Sequence, residues 1–320
     1  MLKLDENKIR KGKPVGLPYQ GSKKKISKKI VEIIKQNFGT DKPIYDIFGG
    51  GGAITAECML NGLEVHYNDL DKEITDMFQR VISQNREWIK TLIISREEFY
   101  KIKNKDTKTV DDNLKLLANS FGNGQRTYLY GAEWSDMKYF LAVEIIKKYD
   151  VFSGYKQTDT YKNAIRKYSE HKQLQQLEQL QQLERLQQLE RLQQLERLQQ
   201  LERLQQLERL QQLERLQQLE RLQQLEQTNL SYEAFSDIED AIFYLDPPYE
   251  NTTHESYKGN FDSQNFYDWA YKMSKKNIVL ISSYEISDDR FKCVYEFKTA
   301  RSTMQGGGAG KRTEKLFMVA

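Results

Sequence analysis

An apolar run, Phe243-Tyr244-Leu245, stops abruptly at Asp246-Pro247-Pro248-Tyr249, and this junction limits the folds open to the chain more than any other stretch. Neither proline can donate to a sheet ladder, so the run predicts a buried strand whose carboxyl end opens into a rigid polar corner. In open α/β sheets, ligands and reacting groups gather at such ends. Asp246 offers a carboxylate acceptor, Tyr249 a flat aromatic face, and the prolines fix the nearby carbonyls. Such a set can grip a planar amine. A proline-rich turn without chemistry is satisfied by the same four residues, so the remainder of the chain has to decide.

Pro43 to Phe48 predicts a short strand, Gly49-Gly50-Gly51-Gly52-Ala53 a turn, and Ile54 to Leu60 a helix. Glycine turns of this kind let a backbone approach a ligand closely, because no side chain collides. A phosphate-cradling loop would need Lys-Ser/Thr after the last glycine, and Ala53-Ile54 follow instead. Glu64 to Asp69 predicts a second strand ending in a carboxylate. Its distance from the glycines is close to the roughly 20 residues that place an acid on a ribose diol, which points to an adenosine-containing cofactor. NAD and S-adenosylmethionine share that logic, but Asp-Pro-Pro-Tyr has no place in hydride transfer.

Before this unit, Ser22 is placed to N-cap a helix running to about Phe38, with Ile26, Ile30, Ile33 and Ile34 inward and lysines outward. Tyr19 and Lys23 lie at the helix entrance rather than on its flank. Lys72 to Tyr100 reads as helical, with Trp88, Ile89 and Leu92 as core. Ser120 to Gly131 is a loop in which Asn123, Arg126 and Tyr128 mix amide, basic and aromatic groups, as contact with DNA requires; a structural loop closed by core tyrosines fits it equally. Phe266 to Lys275 reads as a helix, and Asn277 to Tyr284, Arg290 to Thr299 and Leu316 to Val319 as strands. Between the last two strands, Arg301, Lys311 and Arg312 sit in a glycine-rich basic segment that suits phosphate contact or an ordinary hairpin.

Leu174 to Gln227 is nine hexads, mostly Leu-Gln-Gln-Leu-Glu-Arg. Leucine every third residue fits neither the heptad of a coiled coil nor a single amphipathic face, since each leucine steps back by about 60° around an α-helix. Propensity favours helix. A continuous helix would be about 80 Å long, however, with both ends returning to one domain. A helical excursion and a compact solenoid therefore both stand as expectations, the repeat serving as spacer, DNA-facing extension or self-association arm.

Outside the hexads, which hold nine Glu and seven Arg, the chain carries 42 basic and 37 acidic residues, an excess that permits nucleic acid. Cys58 and Cys293 have no short spacing, and three scattered histidines suggest no metal. No apolar run is long enough for a bilayer, so a cytoplasmic protein without membrane contact is expected.

The order of these motifs carries more information than any one of them. Pro18-Tyr19-Gln20-Gly21-Ser22-Lys23, then Asp46 to Gly52, Asp69, Asp246-Pro247-Pro248-Tyr249, and Lys311-Arg312 to Phe317 resembles the Dam-like alpha group of DNA adenine-N6 methyltransferases, bacterial or phage enzymes of which some serve restriction-modification. The resemblance implies an α/β, Rossmann-like S-adenosylmethionine-dependent methyltransferase fold with a mixed seven-stranded sheet. It implies a cofactor half over residues 1–75, a helical target-recognition region over 76–172 and a catalytic half over 228–320; the hexads, over 173–227, are an insertion that departs from the family's usual pattern. Phe48, Gly50 and Gly52 would match the family's cofactor turn, with Asp46 beside them, Asp69 would take the ribose, and Tyr19 and Lys23 the amino-acid end. Asp246 and the carbonyl of Pro247 would accept from the exocyclic amine of a flipped-out adenine, with Tyr249 stacked on the base. Double-stranded DNA is the implied partner. N4-cytosine methylation, in which Ser usually replaces the Asp, methylation of RNA or protein, in which Asn commonly leads, and a silent DNA-binding module are the alternatives.

Overall fold

In a computed structural model of the chain, residues 1–19, 21–167, 203–219, 222, 224–250, 261–301 and 313–320 are described. They cluster into two compact units, Met1–Gln84 with Arg215–Ala320, and Asn85–Glu214.

The first unit is built on one sheet. Its strands are β1 (Ile44–Asp46), β2 (Val65–Asn68), β3 (Gln227–Thr228), β4 (Ile242–Leu245), β5 (Ile278–Ser283), β6 (Phe291–Arg301) and β7 (Thr313–Val319), in the order β3-β2-β1-β4-β5-β7-β6. β1 to β5 pair in parallel, and β7 runs antiparallel between β5 and β6. This is the mixed seven-stranded α/β sheet expected. β4 is buried along its whole length, and its alternation supplies both faces. Ile242 and Tyr244 join one core with Ile30, Ile33 and Ile34 of α1 (Ser27–Phe38) and Ile54 and Cys58 of α2 (Ala53–Leu60). Phe243 and Leu245 join the opposite core with Phe266, Trp269 and Ala270 of α9 (Ser263–Met273). Each Ile, Leu and Phe among these contributes about 1.5–3 kcal/mol by leaving water, which anchors the strand that ends at Asp246.

Two local expectations change. Ser22 makes no side-chain cap; a tight turn over Lys23–Lys25 intervenes and α1 starts at Ser27. The stretch from Lys72 to Tyr100 is three helices, α3 (Lys72–Ser83), α4 (Arg86–Lys90) and α5 (Arg96–Lys103). The breaks fall where Asn85 accepts from Trp88 N and Ser95 from Glu98 N, since short polar side chains compete better as caps than as helix interior.

The second unit holds α4, α5, α6 (Val110–Asn119), α7 (Ala132–Tyr149) and most of α8 (Gln205–Gln217). Over Gln205–Gln217 the hexads are therefore helical. Leu204, Leu207, Leu210, Leu213 and Leu216 are all buried, although the five sweep about 240° around the helix. Their period marks a helix enclosed on most sides rather than one with a single wet face. α6 starts with a capping box between Thr109 and Asp112. Thr109→Ala is expected to cost about 1 kcal/mol of unfolding free energy, measurable as a lower denaturant midpoint at unchanged slope.

Candidate active site

The site forms where strand order reverses. β1 lies between β2 and β4, so the carboxyl ends of β1, β2 and β4 deliver Asp46, Asp69 and Asp246 to one crevice. A cavity of about 380 Å³ opens there, within the size range of cofactor pockets. Tyr19, Lys23, Asp46, Phe48, Gly50, Asp69, Asp246 and Pro248 all line it.

The glycine turn has a steric reason at two of its positions. A Cβ on Gly49 would lie 2.3 Å from the Tyr67 ring. Gly52, at φ 69° ahead of α2, would put one 2.4 Å from the Phe78 ring. Gly52 therefore shapes the turn from beneath and is not itself in the cavity wall. Asp69 locks the turn to β2 by accepting from Gly50 N at 2.8 Å and Asp71 N at 2.9 Å. Burial pushes Asp69 up to about 6 despite these bonds. Asp46 accepts from both Thr55 N, at 3.1 Å, and Thr55 Oγ1, at 2.7 Å, and burial pushes it up to about 7.

At the Asp-Pro-Pro-Tyr corner, Lys23 Nζ lies 2.7 Å from Asp246 Oδ2 and donates to the Tyr249 hydroxyl at 2.6 Å. Lys23 thus ties the N-terminal turn to the corner more than 220 residues away. The Tyr249 hydroxyl is 2.6 Å from Glu314 Oε1 and 3.1 Å from Asp246 Oδ1. It has one proton, and the shorter distance directs it to Glu314. Ser282 Oγ at the end of β5 also donates to Glu314 Oε1, at 2.8 Å. Burial raises Asp246 to about 6, Lys23 opposing and Glu314 reinforcing the shift. The Tyr249 ring packs edge-on against Tyr284 at 4.6 Å. Pro247 and Pro248 are buried, and Phe48 stands edge-on to Phe261 and Phe266.

Glu314 had a place in the sequence motif but no assigned role, because its partners lie on other strands. Two further aromatics join the wall: Phe261, from a polar and aromatic stretch whose composition suits a pocket cover, and Tyr232, which carries no local signal.

A profile of the D12 class N6 adenine-specific DNA methyltransferases matches residues 19–301. The chain belongs to this family. Its reaction is methylation of adenine N6 in DNA, and it is an enzyme that acts on a DNA substrate with a methyl donor. That decides against the cytosine, RNA, protein and silent-module alternatives. No curated protein matches the chain.

The remaining sequence candidates of this methyltransferase fall elsewhere. Tyr128 is core in the helical unit, its hydroxyl donating to Ile94 O at 2.9 Å and its ring edge-on to Phe99. This is the structural alternative that the loop left open. Asn123, half-buried at φ 59°, and exposed Arg126 sit in that loop. Arg301 ends β6, its backbone paired with Thr313, and Lys311 and Arg312 lie outside the described residues. Among the described residues there is no cluster of three or more metal-ligating side chains, and no helix is long and apolar enough to cross a membrane.

Two outcomes are expected. Gly52→Ala, strained in φ and clashing with Phe78, should cost about 2–4 kcal/mol in chemical denaturation. Glu314→Gln removes a negative charge next to Asp246 while keeping an acceptor for Tyr249. The carboxyl then ionises more easily, so the Asp246 midpoint, raised to about 6 with Glu314 in place, should move to lower pH when the carboxyl is titrated by NMR.

Proposed function

We propose that S-adenosylmethionine is the methyl donor, held in the cavity beside the glycine turn, and that the corner after β4 methylates an adenine flipped out of double-stranded DNA. The observation that carries this reading is the Asp246 carboxylate on the wall of the same cavity as the glycine turn. The residues suit the donor: glycine backbone permits close approach, Asp69 offers a carboxylate for a ribose diol, and Phe48, Tyr232 and Phe261 give an aromatic wall for a base. When bound, the donor supplies an electrophilic methyl group on a sulfonium.

The chain's own residues would then prepare the nucleophile. The lone pair of the adenine amine is delocalised into its ring, so the amine is a poor nucleophile. Asp246 and the Pro247 carbonyl, accepting its two hydrogens, draw the lone pair back onto nitrogen. The Lys23 ammonium beside Asp246 favours its accepting carboxylate form. Lys23 keeps that carboxylate oriented, and Glu314 keeps Tyr249 oriented through its hydroxyl, leaving the ring to support the base. Positioning and charge orientation provide the acceleration. Tyr19 completes the donor's wall, and Asp46 braces α2 through Thr55.

We assign target recognition to the helical region, with Asn123 and Arg126 facing DNA, Tyr128 holding their loop from within, and Arg301, Lys311 and Arg312 contacting phosphates. The hexad arm is the proposed site of self-association and the cytoplasm the proposed compartment.

Asp246→Ala should lower kcat by at least about 10²–10³-fold while donor affinity by calorimetry stays within a few-fold. Labelled S-adenosylmethionine and unmethylated genomic DNA test the whole reading: label should appear in N6-methyladenine at mapped sites. Unlabelled DNA alongside a tightly bound donor would refute the assigned recognition surface.

A further inference from the structure

Residues Arg203 to Glu214 belong to the repeat, yet they are built into the core of the helical unit. Leu204, Leu207, Leu210 and Leu213 are buried, and so are two polar side chains between them. Gln206 Nε2 lies 2.6 Å from Asn119 Oδ1, 3.0 Å from the Tyr128 hydroxyl and 3.1 Å from Ile94 O. Arg209 Nη1 donates to Leu117 O at 3.1 Å and Ala118 O at 2.9 Å, carbonyls in the last turn of α6. A buried guanidinium is tolerated only where acceptors are supplied, and α6 presents its free carbonyl end here. Around these, the Tyr155 hydroxyl accepts from Leu204 N at 3.1 Å and lies 3.3 Å from Glu208 Oε1, Glu208 pairs with Arg203 at 2.7 Å, and Glu214 pairs with Arg86. The unit thus reads a leucine frame, one glutamine, one arginine and two glutamates of a helix.

Every one of those features is periodic in the sequence. The fifteen residues from Arg203 to Gln217 recur without a change beginning at Arg185, Arg191, Arg197 and Arg209. A shift of six residues, or a multiple of six, would present the same side chains at the same places. Contacts cannot tell these five windows apart. They differ only in the length of chain on either side; the windows beginning at Arg185, Arg191 and Arg197 lengthen the connection to β3, at a cost that grows only with the logarithm of its length, whereas the one beginning at Arg209 leaves just three residues before Gln227.

We propose that the helical unit carries a binding slot for a Leu-Gln-Gln-Leu-Glu-Arg helix which the windows beginning at Arg185, Arg191, Arg197 and Arg203 can each fill, so that the register is degenerate and hexads can be gained or lost without unmaking the unit. The slot is formed by Ile94, Leu117, Ala118, Asn119, Tyr128 and Tyr155, with Arg86 at its edge. Its ligand is the repeat itself, and the repeat thereby serves as a set of interchangeable core helices.

The test compares two variants of the full chain by thermal melting. Gln206→Leu with Arg209→Ala spoils one window and leaves those beginning at Arg185 and Arg191 intact. The same two changes made in every hexad from Leu180 to Arg221 spoil all of them. Degenerate register predicts a melting temperature within about 1 °C of the parent for the first variant and a fall of roughly 5 °C or more for the second. An equal fall in both would establish a fixed register and overturn the proposal, as would no fall in the second. Should the second variant not fold, a charge swap decides. Arg86→Glu is combined with Glu214→Arg, or instead with Glu202→Arg, which holds the corresponding place in the window beginning at Arg191. Equal recovery of the melting temperature by both supports degeneracy; recovery with Glu214→Arg alone, or with neither, overturns it.

Discussion

Everything at the candidate active site depends on β1 having parallel partners on both sides. Ile44 faces Val65 in one neighbour and Ile242 in the other, and Asp46 faces Tyr67 and Tyr244. With three residues, β1 has almost no freedom of register, because a slip by one would turn Ile44 out of its core. That pairing brings the glycine turn and the Asp-Pro-Pro-Tyr corner together, although nearly 200 residues separate them. The chain leaves the sheet after β2 and rejoins it beside β2 as β3. The helical unit and the hexads occupy that excursion, so the crevice is set by strand pairing and is indifferent to how long the excursion is.

The same crevice concentrates buried negative charge. Asp46, Asp69 and Asp246 all have pKa values raised by desolvation, to about 7, 6 and 6. Each is held by specific donors, Thr55, the Gly50 and Asp71 amides, and Lys23 with Tyr249. Removing carboxylates from water is costly, and structural stability alone does not explain three around one cavity. A sulfonium donor carries positive charge, and a wall of carboxylates in a low-dielectric pocket is complementary to it. On this view the proposed ligand adds to the compensation that the hydrogen-bond donors and Lys23 already provide.

What the sequence made legible follows from how local each signal is. The glycine turn, the second-strand acid and the proline corner are read correctly as strand ends, because backbone chemistry within five or six residues dictates them. α1 is legible from its apolar period and α2 from the strand and glycine turn ahead of it, whereas the breaks at Asn85 and Ser95 are not, because a mid-helix polar residue and a cap look alike until packing chooses. Glu314 was hidden for a topological reason: it meets Tyr249 and Ser282 only because β7 inserts between β5 and β6. Tyr128 lies in a loop that fits DNA contact and core packing equally, and nothing nearby in sequence announces that its hydroxyl has a buried acceptor in Ile94 O.

The hexads resisted reading for the opposite reason, since their signal is strong but belongs to no single residue. A leucine at every third position leaves apolar surface on most sides of a helix, so an isolated hexad helix has no satisfactory face to show water. Enclosure removes that difficulty, and the described hexads are enclosed. Gln206 and Arg209 are buried with partners while chemically identical residues recur along the repeat. Identity of sequence therefore does not imply identity of environment. A repeat of this kind makes one site well specified in its contacts and unspecified in which copy provides them, a combination that no unique sequence can produce.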